Sequence, residues 1–143
     1  MISLASVSDH PGIIEIWELS VRATHHFLPE TYLLEIKALL PEILIQVPVY
    51  LYTGRDGSIK GFAGVVDQKI EMLFIHPGSR GLGIGRLLTR FCIDTMQACK
   101  VDVNEQNEQA VQFYKKMGFT ITGRKELDSM GKPFPVLNMQ LTG

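Results

Sequence analysis

The chain has 143 residues, 14 Lys and Arg against 15 Asp and Glu, and 45% hydrophobic residues. That length suits one domain around one core, read as residues 1–143. The balanced charge, with no basic run longer than a pair, excludes nucleic acid as the main partner, since affinity for phosphate backbones needs clustered Lys and Arg. No apolar run approaches the ~20 residues that span a bilayer. Met1-Ile2-Ser3-Leu4 lacks a basic leader, so no signal peptide is expected.

In chain order, residues 2–7 alternate and predict a short strand. Asp9 and Pro11 predict a helix start, and Ile13, Ile16, Trp17 and Ser20 give that helix an apolar face as far as about His26. Pro29 and Glu30 open a second helical segment through Leu39-Leu40, and Pro41 and Pro48 bracket a short apolar piece. The period then shortens. Strands are predicted at 49–53, 60–66 and 69–75, joined by turns at 55–58 and 67–68.

A helix is predicted from Gly83 to about Lys100, with Leu87, Leu88, Phe91, Cys92, Thr95 and Cys99 on one side. On one helix, Cys92 and Cys99 would lie about 10.5 Å apart along the axis, too far for a disulfide. Two reduced thiols suggest a cytoplasmic location. Val101–Asn104 is a buried-type strand, and strand–loop–helix–strand implies a parallel pair. A helix follows from Asn107 to about Met117, capped by Gly118. Strands at 120–127 and 135–141 close the chain around a loop at 128–133.

The most informative stretch is Phe74-Ile75-His76-Pro77-Gly78-Ser79-Arg80-Gly81-Leu82-Gly83-Ile84-Gly85-Arg86. It passes from strand through a glycine loop into a helix. A helix start carries unpaired N–H groups and the positive end of the macrodipole, and glycines let an anion approach them. A phosphate cradle is therefore expected. The dinucleotide fingerprint fails because its third glycine would fall on Arg86 or Leu88. The P-loop fails because Ile84 stands where Lys is required.

What remains, Arg80-Gly81-x-Gly83-x-Gly85, resembles the acetyl-CoA pyrophosphate loop of the GCN5-related N-acetyltransferases, the GNAT superfamily. A second stretch lies about 22 residues beyond Gly85, behind one helix and one strand. Asn107, Ala110, Phe113, Tyr114, Gly118 and Phe119 there match the family pattern Asn-x-x-Ala-x-x-Phe-Tyr-x-x-x-Gly-Phe. Singly, each has a plain reading as helix cap or core. The run Asn104–Ala110 and the stretch Gly131–Pro135 look most like small stand-alone bacterial acetyltransferases.

The resemblance implies an α/β (α+β) GNAT fold, with about seven mostly antiparallel strands, one splayed parallel pair and about four helices. It implies acetyl-CoA as co-substrate and no metal. Leu73, Phe74 and Ile75 would lend backbone to the pantetheine arm. Arg80, Gly81, Gly83, Ile84, Gly85 and Arg86 would hold the pyrophosphate, Asn107 would contact the arm, and Tyr114 would sit near the sulfur as general acid. The resemblance offers Glu71 as general base, since strand alternation puts it on the face of Leu73 and Ile75 unless a bulge intervenes. Asp102, His25, His26 and water remain alternatives. Adjacent His25 and His26 point about 100° apart on a helix and make no metal site.

The acceptor site is expected between residues 23–32 and 128–135. Its substrate would be a small-molecule amine or a peptide N-terminus, at a monomer or homodimer without nucleic acid or membrane. The reaction read is direct attack of a primary amine on the thioester. A non-catalytic acyl-CoA-binding module is the competing reading, which the presence of Tyr114 disfavours. Transfer of a longer acyl group is a third, which Phe62 or Phe74 would disfavour if either faced the acyl pocket.

Overall fold

A computed structural model describes residues 1–142. Seven strands form one sheet: β1 (Ile2–Leu4), β2 (Val49–Thr53), β3 (Ile59–Val66), β4 (Lys69–Ile75), β5 (Lys100–Asn104), β6 (Phe119–Lys125) and β7 (Val136–Leu141). Their order is β1-β2-β3-β4-β5-β7-β6. Every neighbouring pair is antiparallel except β4 and β5. Four helices flank the sheet: α1 (His10–Thr24), α2 (Glu30–Gln46), α3 (Ile84–Asp94) and α4 (Glu108–Lys116). This is the GNAT arrangement that the two motifs led one to expect.

The sheet separates two apolar cores. On one face, Ile13, Trp17 and Val21 of α1 and Leu33, Leu40 and Leu44 of α2 meet Leu51, Phe62 and Met72. On the other, Ile84, Leu88 and Cys92 of α3 and Val111 and Tyr114 of α4 meet Ala63, Ile70, Val101 and Met139. Leu87, expected on the apolar side of α3, is 51% exposed. The helix buries Ile84, Leu88, Thr89 and Cys92 instead, and the Thr89 hydroxyl satisfies itself on the Gly85 carbonyl at 2.7 Å.

Several boundaries move. The first strand stops at Leu4, because Ser6 and Asp9 form a capping box over the single 3₁₀ turn Val7–Asp9. Pro41 lies inside α2 rather than ending it. Proline deprives the helix of one hydrogen bond, but Leu33 and Leu40 before it and Leu44 after it all pack into the same core. α3 ends at Asp94, and Gln97 turns with φ +59°. Cys99 therefore lies outside the helix, which removes the helical-rise argument, although both cysteines are free thiols. Burial raises the Cys92 thiol to about 11.

What positions the site is a break in the sheet. The β4–β5 pairing holds only at Lys69↔Lys100 and Ile70↔Val101. Just there the β3–β4 register slips, from Gly64↔Met72 to Val65↔Ile70, which leaves Glu71 as the extra residue of a bulge. A bulge bends its strand and increases its twist. Beyond it β4 diverges from β5, while β5 stays paired to β7 along its length. The V opens toward Ile75 and the glycine loop. At its closed end Lys69 pairs with Asp102, which also accepts the Asn138 amide at 2.8 Å.

Candidate active site

A cleft of about 340 Å³ occupies the open V. One side is the free edge of β4, with Leu73, Phe74 and Ile75 lining it. From residue 71 onward this edge has no strand partner toward β5, so its amides and carbonyls are available to an extended ligand. β4 then runs through the short 3₁₀ turn Pro77–Ser79 into α3. His76 caps that turn, its Nδ1 accepting the Gly78 amide at 2.9 Å.

The loop into α3 is shaped by glycine. Gly81 and Gly83 sit at φ +79° and +82°, where L side chains are strained, and a Cβ on either would meet open space. Glycine is needed here for backbone angle, and the empty space leaves the amides accessible. Gly83 is the N-cap of α3, with no side chain capping it. The first helical bond is from Leu87 N–H to the Gly83 carbonyl at 3.0 Å. The N–H groups of Ile84, Gly85 and Arg86 therefore have no helical acceptor and stand at the positive end of the dipole. Arg80, Gly81, Gly83, Ile84, Gly85 and Arg86 all line the cleft. This geometry fits the pyrophosphate of a coenzyme A.

The far side is α4. Asn107 caps it, its side-chain oxygen accepting the Ala110 amide at 3.3 Å. That leaves the Asn107 amide nitrogen free to donate at the cleft it lines. Gln109 accepts from Arg80 at 3.1 Å, so a hydrogen bond joins the glycine loop to α4 across the cleft. Sequence reasoning missed Gln109. The only hint was its place two residues after a helix cap.

Tyr114 is 6% exposed, held edge-on between Phe113 and Phe119 at ring distances of 5.2 and 5.6 Å. Among the described residues its hydroxyl has no protein hydrogen bond, and no buried side-chain polar atom is left without a partner. The hydroxyl must therefore reach open space, and the space Tyr114 lines is the cleft. Burial, and secondarily Cys92, drive its pKa well above the ordinary tyrosine value. The phenol is thus a fully protonated, unengaged donor.

Two candidate bases are displaced. The bulge intervenes at Glu71, so alternation no longer aligns it with Leu73 and Ile75. Glu71 is exposed and borders a second, apolar cavity of about 410 Å³ instead, which shares only Phe74 with the cleft. Asp102 is held by Lys69 and Asn138 at the closed end. Of the two histidines, His25 lines the cleft and the exposed His26 does not. Among the described residues no group of three His, Cys, Asp or Glu could hold a metal ion. Phe62 is fully buried beneath the sheet, 5.6 Å from the Phe74 ring, and only Phe74 reaches the cleft.

The segments around residues 23–32 and 128–135 meet beside His25. Phe134 stacks on Tyr32 at 5.3 Å and lies 6.0 Å from Phe27, which in turn lies 5.4 Å from the His25 ring. The Tyr32 hydroxyl donates to Asp128, whose carboxylate also accepts the Met130 and Lys132 amides. Arg22 ties Glu18 to Glu30, and Lys37 also reaches Glu18, which clamps α1 to α2 behind this wall.

Residues 42–142 match the family model described as the acetyltransferase (GNAT) domain. The chain is 42% identical over 127 residues to the peptidyl-lysine N-acetyltransferase YjaB of Salmonella typhimurium, covering 89% of this chain and 88% of that one. The solution structure of apo YjaB from Escherichia coli superposes with a TM-score of 0.92 at 38% identity, over 100% of this chain and 97% of that one. The fold also matches yncA of Salmonella typhimurium, solved with its cofactor acetyl-CoA, at a TM-score of 0.67 and 22% identity, over 99% and 92% of the two chains. These relatives set aside the non-catalytic module. The chain belongs to the acetyltransferase (GNAT) family and is an acetyl-CoA-dependent N-acetyltransferase.

Proposed function

We propose that the acceptor is the side-chain amine of a lysine in a peptide or protein, and that Tyr114 is the general acid. The acceptor class follows the named activity of the YjaB relatives, and what supports it here is the aromatic wall. Phe27, Tyr32 and Phe134 pack together beside His25, the residue through which they adjoin the cleft, and an apolar cluster there suits the aliphatic stem of an amine.

The observation that carries the mechanism is the convergence of the free β4 edge, the uncapped start of α3 and the Tyr114 hydroxyl on one cleft. The pyrophosphate rests on the amides of residues 84–86, between Arg80 and Arg86. Asn107 and the β4 backbone hold the pantetheine arm. A β4 amide, preorganised by the sheet, receives the charge that develops on the carbonyl oxygen. Tyr114 protonates the departing sulfur. A phenol gives its proton to a thiolate of pKa about 8.5 only uphill, so its advantage lies in being loaded and placed rather than in acidity. The 1–143 chain acts as a single domain in the cytoplasm, as its free thiols suggest.

The test uses acetyl-CoA with two peptides. One has blocked termini and a single internal lysine, and the other has a free N-terminus and no lysine. Thiol release with the first and not the second supports the lysine reading. The reverse pattern replaces it with a peptide N-terminus.

A further inference from the structure

We infer that His25 takes the proton from the attacking amine during acetyl transfer, through its Nε2. The inference rests on the reading above that the cleft holds acetyl-CoA and an amine together. His25 ends α1, its backbone amide bound to the Val21 carbonyl at 2.7 Å. Thr24 Oγ1 lies 2.8 Å from the Ser20 carbonyl, which can only accept, so the single hydroxyl hydrogen is committed there. The 2.7 Å contact between Thr24 Oγ1 and His25 Nδ1 then requires the hydrogen on Nδ1. That assignment leaves a lone pair on Nε2.

Nε2 has no protein partner among the described residues. Since no buried side-chain polar atom among the described residues is left unpaired, Nε2, like the Tyr114 hydroxyl, opens on the space its ring lines. That space is the cleft. The same cleft thus presents an unengaged acceptor from α1 and an unengaged donor from α4. The competing carboxylates are elsewhere, Glu71 at the second cavity and Asp102 in its ion pair. Burial, with some help from His26, lowers the His25 pKa to about 4, so the ring is an uncharged acceptor at neutral pH.

The proton balance is complete. The amine enters uncharged, because so weak a base cannot deprotonate an alkylammonium ion. Its nitrogen forms a bond to the thioester carbonyl carbon and becomes acidic as it does so. Its proton passes to Nε2, the carbon–sulfur bond breaks, and the sulfur takes the proton of Tyr114. Solvent removes the proton from His25 and restores that of Tyr114. The net products are the N-acetyl amine and free thiol.

His25→Asn tests this. Asparagine can still donate to Thr24 but has no second ring nitrogen. With acetyl-CoA and the blocked single-lysine peptide, kcat is expected to fall about 100-fold. The acetyl-CoA KM should stay unchanged, and imidazole added to the buffer should restore part of the rate. Activity within threefold of the unaltered protein overturns the proposal. So does a loss that imidazole does not restore while calorimetry shows acetyl-CoA still bound. A second measurement needs no variant and no acceptor. Histidine ring ¹⁵N shifts at pH 7 to 8 should show His25 uncharged with its proton on Nδ1, and a proton on Nε2 overturns the proposal. If the unaltered enzyme releases no thiol with the peptide, it is the lysine reading that fails, and the ring measurement still judges His25.

Discussion

The β4–α3–α4 wall of the cleft presents backbone held in regular structure, whereas the region beside His25, residues 24–32 and 126–135, joins the end of α1 and the start of α2 to a loop through side chains. On the first wall the proposed ligand contacts are amides at a strand edge and a helix start, joined by the side chains of Arg80, Arg86, Asn107 and Tyr114. On the second, Asp128 organises its loop, Tyr32 and Phe134 stack between segments about a hundred residues apart, and Thr24 orients His25. A strand edge and a helix start suit the invariant parts of one co-substrate. Side-chain ties can be exchanged singly, and they suit an acceptor that differs among relatives.

Substitutions should separate the two walls. The largest expected effect is at the chemistry between them. Tyr114→Phe should lower kcat by about 100-fold or more while calorimetry shows acetyl-CoA affinity nearly unchanged. Equal turnover would remove the acid role. Next, Gly83→Asp places a side chain at φ +82° and a negative charge at the uncapped helix start. A cost of about 2–3 kcal/mol, or roughly 30–150-fold in acetyl-CoA affinity, is expected. Unchanged affinity would move the pyrophosphate elsewhere.

On the opposite wall, Asp128→Ala removes the acceptor shared by the Tyr32 hydroxyl and two loop amides. Acceptor KM should rise about tenfold, on the 1–3 kcal/mol scale of such losses, with acetyl-CoA KM unaltered. A rise in both constants would blur the division between the walls. The smallest effect is on stability. His25 has a lower pKa folded than unfolded, so the unfolded chain binds more protons below pH 6.5, and stability is lost as pH falls from about 6.5 toward 4. Between pH 7 and 5 the loss should be about 1–2 kcal/mol at most. The carboxylates held low by Arg22, Lys37 and Arg124 change only below that range. Urea titrations in which His25→Asn flattens this dependence would confirm its source.

The difference between the walls also explains what could be read from sequence. Gly81, Gly83, Asn107 and Gly118 do local work, at a left-handed turn or a cap, and such work leaves a mark at fixed spacing. The strand meander and the helix–strand alternation were legible for the same reason. The bulge at Glu71 was not, because it arises from pairing between two strands and has no marker residue within Lys69–Ile75. Pro41 argued against a helix that long-range packing maintains. The aromatic wall could be assigned to its two segments, since their aromatics and histidines were visible. The Thr24–His25 and Tyr32–Asp128 ties could not be, because they depend on how distant pieces of chain meet.

The activity proposed for this cleft is transfer of acetyl from acetyl-CoA to a lysine amine. Its most direct test is quantitative thiol release combined with intact-mass analysis of the blocked single-lysine peptide. One thiol should be released for each peptide gaining one acetyl group, with both signals lost in Tyr114→Phe. Tight binding of acetyl-CoA with no thiol release, or thiol release with no change in peptide mass, would contradict it.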